Sequence, residues 1–212
     1  MGTAMNHDIL LLGSQSSSRK ELLTEAGINF TTIPHHSSEL ETEFTGDLAA
    51  YVIGIALHKM ESLIVPTPQE IGRTTILVLT ADSVVQHSGS KELLGKPVDV
   101  ADAHRMLASA RSSSMLIMTG CCLREYEWHN AAWVTQREQT WATPALAEFI
   151  VAPDEVDHYL TRCPQALHSA GAGILEGYGA NYLKSIAGSF SGGRGLPIFE
   201  VRQALKAFGF RF

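Results

Sequence analysis

Continuous apolar runs and segments of helical periodicity alternate along the chain. Residues 9–12 are wholly apolar, and residues 75–80 form a second apolar run that is bounded by threonines. Short runs that lack a polar alternation are typical of strands buried on both faces of a sheet. Residues 48–65 instead carry apolar side chains at helical spacing and form the longest predicted helix. The pattern therefore predicts an α/β protein with a mixed central sheet flanked by helices.

Caps, turns and β-rich stretches predict the remaining elements. Asp99 is expected to cap a helix over residues 100–110, with Asp102 in its first turn, and a hairpin is expected around Gly89. Further helices are predicted at residues 19–26 and 153–162, and residues 195–207 are predicted to end in a C-terminal helix. Further strands are predicted at residues 29–34, 115–124 and 133–141, with short strands in the glycine-rich stretch 170–191.

Composition and charge narrow the class of protein. The 212 residues are 45% hydrophobic and 18% charged, which allows a sizeable core and suits either one large domain or two small lobes. The net charge of −6 argues against a nucleic-acid polymer as partner, and no apolar run approaches the length of a membrane helix. Three cysteines, two of them adjacent, favour a reducing compartment. Residues 1–8 lack a signal-peptide pattern and are expected to form a flexible extension.

A polar loop between the first strand and the first helix is the first candidate for chemistry. Residues 13–20 read Gly-Ser-Gln-Ser-Ser-Ser-Arg-Lys. A polar loop that enters a helix presents backbone N–H groups, and with Arg19 and Lys20 it would suit a phosphate chain. The alternative is a solvated loop with a serine N-cap. The segment is not a Walker A loop, because GxxxxGK[ST] does not occur.

Two further candidates follow the second apolar run. Asp82 is expected just past that strand, at the carboxyl edge of the sheet, where a carboxylate could bind a divalent ion or take a proton from water. The alternative is an aspartate that caps a turn. Lys96 lies between Gly95 and Pro97 in a turn that could present its ammonium to a phosphate; the alternative is an ordinary surface lysine.

An acidic stretch and a glycine-rich stretch are weaker candidates. Glu39, Glu41 and Glu43 would share one face of an extended segment and could bind a hard cation, or they form a solvated acidic edge. Residues 171–179 are dense in glycine, which permits close approach to a ligand, and Glu176 is the single charged residue among them. The alternative is a turn-rich connection with an exposed glutamate.

These motifs occur in an order that resembles the Maf family. The resemblance covers about residues 9–205 and is carried by the Ser/Arg loop 12–23, Ser38-Glu39, Lys59, the stretch 81–85 around Asp82, Leu94-Gly95-Lys96-Pro97, the segment 102–107, Thr119-Gly120, Ala170-Gly171-Ala172 and Gly195-Leu196-Pro197. It implies an elongated, two-lobed α/β fold with a cleft, related in shape to the inosine triphosphate pyrophosphatases. It also implies hydrolysis of nucleoside triphosphates to a monophosphate and pyrophosphate, of the house-cleaning type. A divalent cation (Mg²⁺ or Mn²⁺), a cytoplasmic location, a homodimer and a link to septum formation are further implications.

The resemblance also assigns roles to individual residues. It makes Asp82 the catalytic carboxylate and a metal ligand, Glu39 an acidic metal-binding position, and Lys59 and Lys96 the catalytic lysines. It places Ser14 and Arg19 in the phosphate-binding loop. Lys20 would add a further cation, because a triphosphate carries about four negative charges that clustered basic groups would offset.

Three positions depart from the thymidine/uridine type of the family. Ser18 replaces a second arginine, Ser83 replaces a threonine, and Glu176 replaces a glutamine. These positions are associated with base choice, and a carboxylate, which only accepts hydrogen bonds, favours a base edge with donors. We therefore expect a specificity that is not strictly for dTTP and UTP. Arg194, in an unusual Gly-Gly-Arg stretch, would be a phosphate or base contact or a surface residue.

Two other functions fit the sequence. The chain could be a nucleotide-sensing regulator of cell division with vestigial hydrolysis, as the arginine missing at Ser18 suggests. It could also hydrolyse noncanonical purine triphosphates such as the inosine form, although fold relationship is poor evidence for a substrate.

Overall fold

The computed structural model describes residues 7–34 and 44–212. Glu39, Glu41 and Glu43 lie outside the described residues, as do residues 1–6 of the expected N-terminal extension. The strands are β1 (Leu10–Leu12), β2 (Phe30–Thr32), β3 (Thr75–His87), β4 (Leu93–Leu94), β5 (Met115–His129), β6 (Ala132–Phe149) and β7 (Leu183–Gly188). The helices are α1 (Ser17–Glu25), α2 (Leu48–Glu61), α3 (Pro68–Ile71), α4 (Val100–Ala110), α5 (Val156–Arg162), α6 (Phe190–Gly193) and α7 (Ile198–Ala207).

Seven strands of the described residues form one mixed sheet. Its order is β2-β1-β3-β5-β6-β7, and β4 pairs with β3. Strand β1 runs parallel to β2 and β3, whereas β4 is antiparallel to β3 and β7 is antiparallel to β6. The predicted α/β class with a mixed sheet and flanking helices is therefore confirmed.

Local signals explain where most elements begin and end. Asp99 accepts a hydrogen bond from the Asp102 backbone N–H at 2.8 Å and caps α4 as predicted. Strands β5 and β6 are joined by Asn130 and Ala131, both with positive φ, which is the signature of a two-residue hairpin turn. The hairpin predicted around Gly89 is also present, as Val85 pairs with Leu94.

Several element boundaries differ from the predictions. Strand β3 does not end at Thr80 but continues to His87, so Asp82 lies within the strand and not past its end. Helix α1 begins at Ser17, two residues early, because Ser16 caps it. The stretch 170–191 holds one strand, β7, where several were expected, and its other regular elements are 3₁₀ turns and the short helix α6. Residues 153–162 divide into a 3₁₀ turn and α5.

The described residues form two compact units. Unit 1 takes its residues from the ranges 1–82, 120–142 and 195–212, and unit 2 comprises 83–119 and 143–194. The expectation of one two-lobed domain stays a prediction. No helix in residues 7–34 and 44–212 has the length and apolar character needed to span a membrane.

The core of unit 1 has two faces. Leu10 and Leu12 of β1 pack with apolar residues of α1 and α7, whereas Leu11 packs on the opposite face with residues of α2. Side chains of a strand point alternately to the two faces, so a strand covered by helices on both faces must be apolar throughout. This arrangement is the physical reason for the unbroken apolar run at the start of the chain.

The core of unit 2 is built on α4 and an aromatic group. Leu107 is fully buried, and Phe149, Tyr159 and Tyr182 meet edge to face or tilted, with ring centroids 5.2 to 6.4 Å apart. Such geometry is favourable between aromatic rings. The hydroxyl of Tyr159 donates to Ala172 O at 2.8 Å and accepts from Ile174 N–H at 3.0 Å, which anchors the glycine-rich stretch to this core.

Gly120 controls the approach of α2 to the sheet. A Cβ at this position would lie 2.5 Å from the backbone carbonyl of Val52, a residue of α2. We expect Gly120→Ala to lower the free energy of unfolding by about 1–3 kcal/mol, because an added methyl overpacks the contact. Urea denaturation followed by circular dichroism measures the change.

Gly54 provides the matched control. It lies within α2, and a Cβ there would meet no atom within 4 Å. Gly54→Ala should raise the free energy of unfolding by about 0.5–1 kcal/mol, because alanine favours the helix. Equal effects of the two substitutions would contradict the close contact at Gly120.

Candidate active site

The polar loop 13–16 joins β1 to α1 in a tightly packed position. A Cβ on Gly13 would lie 2.5 Å from Leu63 Cδ2 and 2.9 Å from Thr80 Cγ2, so only glycine fits there without displacing a neighbour. Ser16 then caps α1 by accepting from the Arg19 backbone N–H at 3.4 Å. The serine N-cap that the alternative interpretation expected is therefore present at Ser16.

Arg19 is a buried cation held by two directional hydrogen bonds. Its side chain donates from Nε to Gly195 O at 2.9 Å and from the guanidinium to Ser14 Oγ at 3.1 Å. Arg19 is 8% exposed and Ser14 is 4% exposed. Burial lowers the pKa of Arg19, and the carboxylate of Asp82 opposes that shift. An arginine stays protonated in proteins, so the site holds a permanent, oriented positive charge near Asp82.

Lys59 and Asp82 form an ion pair in the same unit. Lys59 is in the last turn of α2, and its ammonium donates to Asp82 Oδ1. The two side chains are 21% and 19% exposed, so the pair is largely shielded but reachable by solvent. Unit 1 thus brings together four of the residues singled out from the sequence, namely Ser14, Arg19, Lys59 and Asp82.

Close packing of α2 against the sheet positions Lys59. The hydroxyl of Thr80, two residues before Asp82 on β3, donates to the α2 carbonyl of Ala56 at 2.7 Å. Gly120 permits the second close approach, at Val52. These contacts fix α2 against β3 and β5, and they hold the end of the helix where Lys59 reaches Asp82.

Unit 2 holds a second polar network. Ser83 Oγ lies 2.8 Å from Thr119 Oγ1, and Thr119 donates to Gly192 O at 2.9 Å. Gly192 N–H in turn donates to Ser189 Oγ at 3.0 Å, the cap of the short helix α6. Ser83 is therefore linked through Thr119 to the turn that precedes Arg194.

Arg194 and Glu176 are ion-paired within unit 2. Arg194 Nε lies 3.5 Å from Glu176 Oε2, and the two side chains are 9% and 29% exposed. Glu176 is held by its own turn, since its carbonyl accepts from Gly179 N–H at 3.1 Å. The alternative interpretation expected a turn-rich connection with an exposed glutamate; the turns are present, and Glu176 is half-buried with a buried guanidinium beside it.

Lys96 is exposed in the turn after β4, next to buried Pro97. The carbonyl of Gly95 accepts from Gly171 N–H at 3.0 Å, so the glycine-rich stretch supports the Gly-Lys-Pro turn. Lys20 and Ser18 flank Arg19 on α1 and are partly exposed. Glu39 lies outside the described residues.

Two groups that shape the candidate site had no role assigned to them in the interpretation of the sequence. The Gly195 carbonyl and the Thr119 hydroxyl fix Arg19 and the α6 turn, respectively. Both occur in segments that support the family resemblance, Gly195-Leu196-Pro197 and Thr119-Gly120. A backbone carbonyl has no signature in the sequence, so only its place beside a recurring motif could have indicated it.

The mixed sheet, the Ser/Arg loop and the Lys59–Asp82 pair define a class of α/β protein with a polar site assembled from β1, α1, α2 and β3. The sequence model of the family described as Maf-like protein matches residues 9–208. This chain belongs to the Maf-like family, and the predicted family membership is confirmed.

Curated relatives cover nearly the whole chain. A dTTP/UTP pyrophosphatase of Acholeplasma laidlawii is 32% identical over 201 residues, which is 94% of this chain and 96% of the relative. A dTTP/UTP pyrophosphatase of Dechloromonas aromatica is 30% identical over 210 residues, 95% of this chain and 98% of the relative. One of Cupriavidus metallidurans is 31% identical over 209 residues, 96% and 98% of the two chains. These names confirm the expected enzyme class, a hydrolase acting on acid anhydrides.

Arg19→Lys tests whether the guanidinium geometry matters. A lysine keeps the charge but cannot reproduce both fixed hydrogen bonds, to Ser14 and Gly195. We expect the free energy of unfolding to fall by about 1–3 kcal/mol, since buried acceptors lose their partner. Arg202→Lys on the exposed face of α7 makes the same chemical change and should stay within about 0.5 kcal/mol of the unaltered protein. Equal effects at the two positions would contradict a structural role for the two hydrogen bonds of the Arg19 side chain.

Proposed function

We propose that this chain is a metal-dependent nucleoside triphosphate pyrophosphatase that cleaves between the α and β phosphates. The observation that carries the proposal is the convergence of Arg19, Lys59 and Asp82 in one unit, with Arg19 buried and oriented. The names of the relatives support the same reaction class. The products are a nucleoside monophosphate and pyrophosphate.

Arg19 and Lys59 are the proposed phosphate-binding cations. Arg19 is held by Ser14 and Gly195, so its charge needs no reorganisation when a phosphate arrives. Lys59 is a compact point charge beside Asp82, and such a charge stabilises negative charge that builds on a phosphoryl group. Lys20 and Lys96 are proposed to offset the remaining charge of the triphosphate.

Asp82 is the proposed general base. Its carboxylate is held in place by the Lys59 ammonium and is 19% exposed, so water can reach it. It would take a proton from the water that attacks the α-phosphorus, and pyrophosphate would leave from the opposite side. Ser83, Ser18 and Glu176 are proposed to contact the nucleoside, as the family resemblance implies.

The donor set fits a divalent cation that arrives with its substrate. Mg²⁺ is usually bound through one or two carboxylates together with phosphate oxygens and water. Asp82 supplies one such carboxylate, and Glu39 remains a predicted second one. Within residues 7–34 and 44–212 the structure contains no cluster of three or more His, Cys, Asp or Glu that could hold a metal ion. Bound Mg²⁺ or Mn²⁺ would neutralise charge on the phosphoryl oxygens.

Product analysis tests the reaction. The purified protein with Mg²⁺ is incubated with UTP, dTTP, CTP, GTP, ATP, ITP and 7-methyl-GTP in ¹⁸O-labelled water. The proposal expects pyrophosphate and a monophosphate that carries the label, since water attacks the α-phosphorus. Release of orthophosphate and a diphosphate would overturn it. Tight binding in calorimetry without turnover would favour the nucleotide-sensing alternative.

Asp82→Asn should retain nucleotide binding and lose turnover. Removal of a general base typically costs about 10²–10⁴-fold in rate. Steady-state kinetics with UTP, and calorimetry with a non-hydrolysable analogue, measure the two effects separately. Asp99→Asn is the matched control, because asparagine also caps a helix and Asp99 lies at the start of α4. Full activity of a folded Asp82→Asn protein would refute the assigned role.

Removal of divalent metal should abolish turnover. Exhaustive treatment with a chelator is expected to stop pyrophosphate release, and addition of Mg²⁺ or Mn²⁺ is expected to restore it. The thermal midpoint of the substrate-free protein should change little, since the cation is proposed to enter with the triphosphate. Undiminished turnover in the chelator would contradict metal dependence.

A further inference from the structure

The turn that carries Lys96 is held on both of its sides by hydrogen bonds within unit 2. On the N-terminal side, Gly95 O accepts from Gly171 N–H at 3.0 Å. On the C-terminal side, the backbone N–H of Val98 donates to Asp102 Oδ2 at 3.2 Å. The backbone that carries Lys96 is therefore fixed at both ends, whereas its side chain is exposed to solvent.

Packing restricts the same turn. Leu94 and Pro97, the two apolar residues of the stretch 94–97, are both buried. The ring of Pro97 fixes its own φ and biases Lys96, the residue before it, towards extended backbone. A cation whose backbone is already ordered loses less conformational freedom when it binds an anion, which favours binding.

Asp102, in the first turn of α4, uses both of its carboxylate oxygens in this arrangement. Oδ2 accepts from Val98 N–H, and Oδ1 accepts from Arg105 Nε at 2.9 Å. Arg105 in turn donates to Glu92 Oε1 at 3.0 Å, and Glu92 directly precedes β4. The Val98 N–H and then the Arg105 guanidinium lower the pKa of Asp102, so its carboxylate stays ionised at neutral pH. One side chain of α4 therefore connects the segments before and after the turn.

We propose that Asp102 is a positioning residue that holds the Gly-Lys-Pro turn so that Lys96 can bind the triphosphate. The inference rests on the proposed function, in which Lys96 offsets part of the phosphate charge. The alternative is that Asp102 only caps α4, since a carboxylate in the first turn of a helix commonly accepts from a backbone N–H at the helix start. Capping alone would affect stability and leave nucleotide affinity unchanged, so the two roles predict different results.

Asp102→Ala tests the proposal through nucleotide affinity. Calorimetry with Mg²⁺ and a non-hydrolysable UTP analogue should show binding that is weaker by about threefold to tenfold, because the turn and the Lys96 side chain must then be ordered on binding. Glu70→Ala is the matched control, since Glu70 accepts from Thr67 N–H at 2.7 Å at the start of α3, and it should leave the affinity within about twofold. Asp102→Asn keeps one acceptor oxygen, so its affinity should lie between those of the unaltered protein and Asp102→Ala, and it takes the place of Asp102→Ala if that protein does not fold.

A double-substitution cycle with Lys96→Met separates positioning from every other effect of Asp102. Methionine removes the ammonium and keeps an apolar side chain of similar length. If Asp102 acts through Lys96, Asp102→Ala should weaken binding by less than about twofold once Lys96 is replaced by methionine. An equal loss of affinity in both backgrounds would overturn the proposal, as would an affinity that either single substitution leaves unchanged.

The same measurements distinguish this proposal from the proposed function. Coupling between Asp102 and Lys96 in a protein that hydrolyses no triphosphate would reject the proposed function and leave the positioning role in place. Hydrolysis accompanied by additive effects of the two substitutions would reject the positioning role alone. Failure of the unaltered protein to bind the analogue would overturn both.

Discussion

The buried guanidinium of Arg19 is the charge on which the polar site of unit 1 depends. Removing a charge from water is unfavourable unless hydrogen bonds and an opposite charge compensate it, and here Ser14, Gly195 and Asp82 do so. The two hydrogen bonds, to Gly195 O and Ser14 Oγ, fix the orientation of the side chain. A cation that is held in this way is already oriented before an anionic ligand binds, which is the main requirement of electrostatic catalysis.

Glycines make that arrangement possible by allowing backbones to meet. Gly13 allows the polar loop 13–16 to pack closely against the side chains of Leu63 and Thr80, and Gly120 allows α2 to contact β5. Lys59 at the end of α2 then reaches Asp82 on β3. Packing and chemistry are therefore coupled, because a small displacement of α2 would separate the two charges. Cys121, next to Gly120, is fully buried, and burial raises its thiol pKa, which fits an inert core residue.

Glu176, one of the three positions that depart from the thymidine/uridine type of the family, shows that the surroundings of a substitution matter as much as the substitution itself. Glutamate in place of glutamine suggests a preference for donor-rich bases when the residue is considered alone. In the structure a buried guanidinium accompanies this carboxylate, since Arg194 Nε lies 3.5 Å from Glu176 Oε2. Ser83, also in unit 2, is linked by hydrogen bonds through Thr119 to Gly192, which lies two residues before Arg194.

The sequence by itself determined the α/β class, the buried strands, the cap of α4 and the order of motifs that marks the family. These features depend on local patterns: apolar runs, a side chain that caps its own helix, and residues that recur at fixed places. Tertiary structure alone decided that β3 continues past Asp82, because β4 pairs with its second half. It also decided that Arg19 donates a hydrogen bond to Gly195 O and that Glu176 lies beside Arg194 as an ion pair, with partners 176 and 18 positions apart in sequence. No local propensity encodes such contacts, since they exist only once the packed elements bring distant groups together.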